Sequence, residues 1–87
     1  MEYSLEVSEK IDKIFLKLKK RDWKQLKIID NKVREILKNP HHYKPLRGDM
    51  HGSRRVHIDS SFVLTYEIDD IGKVVRLLDY DHHDNIY

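Results

Sequence analysis

The chain contains no cysteine, which excludes disulfides, thiolate zinc sites and cysteine nucleophiles; any metal ion would have to be held by histidines and carboxylates. No run approaches the roughly 18 apolar residues that a membrane span needs. The N-terminal MEYSLEVSEK also lacks the basic-then-apolar order of a secretory signal. The expectation is a cytoplasmic protein that makes no use of a membrane. Proline and glycine are scarce, two and three, and Pro40, Pro45, Gly48 and Gly52 all fall in one stretch, so irregular backbone is concentrated there. Repeats and low-complexity segments are missing too.

What remains is a chain of 87 residues, 39% hydrophobic and 37% charged. That is polar for a globular chain but too rich in Ile, Leu and Val for a disordered one. The length predicts a single domain over 1–87, with one modest core and room for one shallow site, because a chain this short buries only about 60–65% of its unfolded surface.

Charge is unevenly placed. Residues 1–40 carry 11 Lys and Arg against 7 Asp and Glu, and residues 58–87 carry 2 against 7. Between them lie Lys44, Arg47, Arg54 and Arg55 against Asp49 alone, with His41, His42, His51 and His57 interspersed. A basic, titratable middle suits an anionic partner, of which nucleic acid is the commonest large one.

The hydrophobic pattern divides the chain into six elements. Residues 3–7, YSLEV, alternate as a short edge or first strand does. After Ser8, a good N-cap, Ile11, Ile14, Phe15 and Leu18 fall at helical spacing to about Arg21. Asp22 and Gln25 approximate a capping box for a second helix, whose stripe of Leu26, Ile29, Val33, Ile36 and Leu37 stops at Asn39-Pro40. Residues 40–53 have no period and read as a long loop, of the kind that is often functional in a small domain. Then the period becomes two, over 54–58, 62–68 and 73–80, with short turns between. The order β-α-α-β-β-β predicts an α+β fold: a helical hairpin on one face of a mainly antiparallel four-stranded sheet.

Alternation puts Val56, Ile58, Phe62, Leu64, Tyr66 and Ile68 against the helices, leaving Arg55, His57, Val63 and Thr65 on an uncovered face. A cation and an imidazole two residues apart can bind a phosphate and move a proton. The same pair is also what the solvated side of any two-layer sheet looks like. If the ending YDHHDNIY continues the last strand, His83 and His82 point to opposite sides, so they cannot chelate together and one of them serves the site.

The segment PLRGDMHGSRRVHIDSSFVLTYEID and the terminal His83, Ile86 and Tyr87, set in this element order, resemble the RelE/ParE superfamily of toxins from type II toxin–antitoxin systems, in particular its RelE, YoeB and YafQ branch. That resemblance implies a metal-independent endoribonuclease without cofactor. It would cleave mRNA on the ribosome by attack of a 2′-OH on the adjacent phosphate and so inhibit translation. It implies His83 as general acid or base, Arg55 and His57 as catalytic groups at the phosphate, and Arg54, Arg47, Lys44 and Tyr87 as RNA-binding groups. Tyr87 has a second use open to it as an aromatic plug of the core. The implied partners are a RelB-like antitoxin, the ribosome and mRNA. Two features depart from the family. Several relatives carry a transition-state arginine where this chain has Val63, so either that role passes to Arg55, Arg47 or Arg76 or activity is weak or absent. RelE has an arginine-rich terminal strand where this chain has Asp81, His82 and His83.

Three alternatives stand beside this reading. One is a ParE-like toxin that acts on DNA gyrase without cleaving RNA. Another is a non-catalytic RNA-binding module using Lys10, Lys13, Lys17, Lys20, Lys24 and Lys27. The third is a metal site of His51, His57, Asp81 and His83, which no HxxxH or HExxH spacing supports.

Overall fold

The computed structural model describes residues 2–43 and 53–86, the last by its backbone only. In chain order these form β1 Ser4–Val7, α1 Glu9–Arg21, α2 Trp23–Lys38, β2 Ser53–Ile58, β3 Phe62–Asp69, β4 Val74–His82 and α3 His83–Ile86. The four strands make one sheet in the order β1-β4-β3-β2. β1 lies parallel to β4, and the other two pairs are antiparallel hairpins. The α+β class and the expected element order hold.

Each helix starts where its cap stands. Ser8 Oγ accepts the backbone N–H of Ile11 at 3.2 Å. Asp22 serves two helices at once: its N–H closes α1 on the Leu18 carbonyl at 2.8 Å, and its carboxylate opens α2 by accepting the Gln25 N–H at 3.1 Å. One residue therefore joins the helices.

The helical stripes meet the sheet as the periodicity predicts. Ile11 of α1 and Ile29, Val33 and Ile36 of α2 are buried against Val56, Ile58, Leu64, Tyr66, Val75, Leu77 and Tyr80. Phe62 stacks on Tyr80 at 5.3 Å between ring centroids, and Phe15 meets the same ring edge-on at 6.1 Å. Burial of each fully covered aliphatic side chain stabilises the fold by roughly 1.5–3 kcal/mol.

Tyr66 sits in the middle of this layer with none of its surface exposed. Its hydroxyl donates to the Pro40 carbonyl at 2.8 Å, fixing the segment that leaves α2 onto the third strand. Burial pushes the phenol up to about 12, so it remains a donor throughout the physiological range.

The hairpins use local turn chemistry. Asp59 takes the left-handed conformation at φ 55° between β2 and β3, which Asp tolerates better than most residues. Between β3 and β4, Asp69 Oδ1 accepts the Gly72 N–H at 2.9 Å. A Cβ on residue 72 would lie 3.1 Å from the other Asp69 oxygen, so the close approach favours glycine.

Two expectations are corrected. β4 runs to His82 instead of ending at Tyr80, and the chain then turns into the single-turn α3 instead of continuing extended. The second face is also not bare: Val63 is 0% exposed and Thr65 6%. The small side chains of an interior strand lie below the longer ones of β2 and β4 on either side.

Replacing Tyr66 by Phe leaves the buried Pro40 carbonyl without its donor and is expected to destabilise the fold by about 1–3 kcal/mol. Urea unfolding should show the loss as a lower midpoint at unchanged slope, and an unchanged midpoint would mean that the bond contributes nothing.

Candidate functional site

The sheet face opposite the helices is built by register. Arg55 pairs with Thr65 and Thr65 with Asp79; His57 pairs with Val63 and Val63 with Asp81. Strand spacing of about 4.8 Å sets β2 and β4 roughly 10 Å apart across this floor. That separation lets side chains from both flank one phosphodiester. Arg55 is half-buried and His57 exposed on the β2 side. On the β4 side, His83 remains tied to the ladder, its N–H donating to the Ser61 carbonyl at 2.8 Å.

Asp81 shapes the end of the chain. Its Oδ1 accepts the His82 N–H at 2.7 Å and the Asn85 side-chain amide at 3.1 Å, a local carboxylate-to-backbone closure that turns the chain out of the strand. The Asn85 amide and the His82 N–H hold the Asp81 carboxyl below the ordinary carboxylate range. In the resulting turn the Asp84 carboxylate reaches both imidazoles, Oδ2 at 3.5 Å from His82 Nδ1 and Oδ1 at 3.0 Å from His83 Nδ1. The expectation that His82 and His83 diverge therefore fails, because it assumed an extended chain. Their donor atoms and that of Asp84 lie within 4.8 Å of one another. The set His51, His57, Asp81 and His83 is not the one brought together among the described residues: Asp81 is engaged in the turn and His51 lies outside them.

The paired arginines separate. Arg55 belongs to the open face, whereas Arg54 lies on the helix-facing side with Val56 and Ile58 and is held there. Its Nη1 donates to the Tyr43 carbonyl, and Nη2 lies 3.2 Å from His41 Nδ1. His41 Nε2 in turn meets Asp70 at 2.8 Å, where the Tyr3 hydroxyl also donates at 2.6 Å. The position proposed for Arg54 as an RNA contact is thus occupied by a structural task. Arg76, a candidate to replace the missing arginine, is committed as well: Glu6 at 3.3 Å, Glu67 at 3.7 Å and Asp69 at 3.3 Å surround it. These carboxylates, Glu6 first, raise its already high pKa. Lys44, Arg47 and Tyr87 lie outside the described residues.

The acidic groups on the open face have partners too. Lys10 meets Asp79 at 3.1 Å, and Asp81 is engaged in the turn. Reasoning from the sequence missed Asp81 and Asp84 as organisers of the terminus; the signal available was the run of Asp, Asp and Asn around the two histidines, residues that favour turns.

A helical pair over one face of a β1-β4-β3-β2 sheet, with basic and imidazole groups on the other, defines the RelE-like class of small toxin folds. A family model described as "ParE-like toxin of type II bacterial toxin-antitoxin system" matches residues 5–87, and the chain belongs to that family. It is similar, at 53% identity over 98% of its length and 90% of the relative's, to a protein of Methanocaldococcus jannaschii designated a RelE4 toxin. Among solved structures it resembles the YoeB/ParE toxin of Agrobacterium tumefaciens, with a TM-score of 0.81 at 17% identity, covering 92% of this chain and 98% of that one. It also resembles a chain of the toxin–antitoxin complex RelBE2 of Mycobacterium tuberculosis, with a TM-score of 0.78 at 22% identity, covering 95% and 100%.

Three carboxylates have folded-state pKa values below the ordinary 3.8: Asp69, through the Gly72 N–H and then Arg76; Asp70, through Tyr3 and then His41; and Asp81, through Asn85 and the His82 N–H. A carboxyl with a depressed folded value stabilises the fold above its unfolded value, and that contribution is lost as pH falls through the folded one. The urea midpoint is expected to decline below about pH 4, and less steeply in Asp70→Asn. An Asp70→Asn profile parallel to that of the unaltered chain would show that these hydrogen bonds exert no such effect.

Proposed function

We propose that this toxin is a metal-independent endoribonuclease that cleaves mRNA on the ribosome. What supports the reading is one grouping: Arg55 and His57 stand on the open face of β2 beside the buried floor of Val63 and Thr65, and His83 follows directly on β4, the strand on the other side of that floor. In the reaction a base takes the proton of a ribose 2′-OH. The 2′-oxygen attacks the adjacent phosphorus, the bond from phosphorus to the 5′-oxygen breaks, and an acid protonates the departing oxygen. The products are a 2′,3′-cyclic phosphate and a 5′-hydroxyl.

His83 suits one of the two proton transfers, since an imidazole can both accept and donate a proton. His57, on the far side of the floor, suits the other. Arg55, on the open face of β2 two residues from His57, is the cation proposed for the phosphate, and a guanidinium there stabilises charge as it builds on the phosphate oxygens. Lys44 and Arg47 add charge from the loop, and Tyr87 offers a ring for a base to stack on.

The partner follows from the family. An antitoxin made alongside the toxin would hold it inactive, and the fold offers it an apolar groove of about 460 Å³ between the helices and β1, lined by Leu5, Val7, Phe15, Trp23, Leu26 and Val33. Trp23 is 60% exposed and Leu5 42%, a surface that a partner helix or strand can cover.

Induction of the chain is expected to arrest growth and to create new 5′ ends in a translated message, read by primer extension. His83→Ala should lower cleavage by roughly 10²–10⁴-fold and Arg55→Ala by about 10²–10³-fold. Arrest without new message ends, in both the unaltered chain and His83→Ala, would replace this reading with the gyrase-directed action of the ParE type.

A further inference from the structure

The terminal turn assembles more ligand chemistry than a proton transfer requires. His82, His83 and Asp84 each present one donor atom within a 4.8 Å cluster. The Asp84 carboxylate lies 3.5 Å from one imidazole nitrogen and 3.0 Å from the other. A tetrahedral zinc ion with bonds of roughly 2.0–2.1 Å keeps its ligand atoms about 3.4 Å apart. The two contacts end on different Asp84 oxygens, the three donors lie within 4.8 Å, and His82 Nδ1 accepts the Asp84 N–H at 3.2 Å, so an ion would draw the three donors together as it replaced that bond.

The surroundings favour the same use. Asp81 holds the turn from inside through His82 and Asn85 without being spent as a ligand. The Phe62 ring meets His82 edge-on at 5.4 Å and limits its swing. The side chains of His82, His83 and Asp84 are 42%, 48% and 74% exposed, which leaves an approach for the ion and room for a water as fourth ligand. Two nitrogens and one oxygen suit ions of the zinc class better than magnesium or calcium.

We infer that this turn binds one divalent ion of the zinc class through His82, His83 and Asp84, and that the bound ion switches the toxin off by occupying the imidazole of His83. The binding rests on donor geometry alone. The switch rests also on the reading of His83 as the proton-transfer group. No metal takes part in the cleavage itself; its arrival removes the group that cleavage needs.

The test is a calorimetric titration of the full chain with zinc chloride, beside His82→Ala, Asp84→Asn and the double variant, with cobalt absorption as a second readout of an ordered site. One zinc per chain is expected, weakened by roughly tenfold or more in each single variant. Cleavage of ribosome-bound message should proceed in chelator and fall at saturating zinc. Each single variant, measured against its own activity in chelator, should need correspondingly more zinc for that inhibition, and the double variant should lose it. Zinc binding by the double variant that matches the unaltered chain overturns the site. Cleavage unchanged or increased at saturating zinc overturns the switch. A zinc site that depends on His82 and Asp84, in a chain that never cleaves even in chelator, upholds the site and refutes the nuclease reading and the switch together.

Discussion

Inside a domain this small, the phenol of Tyr66 has no water to turn to, and the carbonyl of Pro40 is buried against the same layer; each satisfies the other at 2.8 Å. Much of the architecture is arranged around that bond. It fixes where α2 ends relative to the central strand β3, and so where the basic segment after Pro40 sets out. The aliphatic stripe of Ile29, Val33 and Ile36 can pack only if α2 lies at that height over the sheet. Because packing of this kind is close and tolerates few voids, a single polar bond can set the register of a whole helix at little cost in apolar contact.

The same strand divides the two functions of the sheet. Leu64 and Tyr66 complete the core on one side, while Val63 and Thr65 form a sunken floor on the other. The floor is made of the small side chains of an interior strand, and longer side chains stand on its flanks. Arg54 and Arg55 illustrate the division. As neighbours in a strand they point to opposite faces: Arg54 is absorbed into a structural chain through His41 and Asp70 to Tyr3, while Arg55 belongs to the open face.

The sequence made the elements legible where one physical signal dominated. The helical stripes and the caps at Ser8 and Asp22 predicted α1 and α2 to within a residue or so, and alternation predicted which residues of β2 and β3 face the helices. Two things were not legible. Burial of Val63 depends on the height of side chains on adjacent strands, which a period of two does not encode. The terminus was misread because alternation was carried past the point where Asp81 captures its own neighbours' N–H groups. Such short-range bonds compete with the ladder, and composition alone does not show which side wins. Arg76 was a further case: Glu6 comes from β1 and Glu67 and Asp69 from β3, and they meet at Arg76 only through the parallel pairing of β1 and the antiparallel pairing of β3 with β4.

These departures constrain the electrostatics of the site. Val63 has no exposed surface, and a larger, charged side chain at that position would have to rise from beneath its neighbours. Arg76 lies at the wrong end of the face and is surrounded by more negative charge than it can neutralise. Arg54 faces the helices. Arg55 stands on β2 two residues from His57, on the open face. A guanidinium on a strand is placed more accurately than one on a loop, and accuracy is what charge stabilisation in a transition state demands. With valine at position 63, the open face has Arg55 and His57 on its β2 side and the turn that carries His83 beyond the far end of β4.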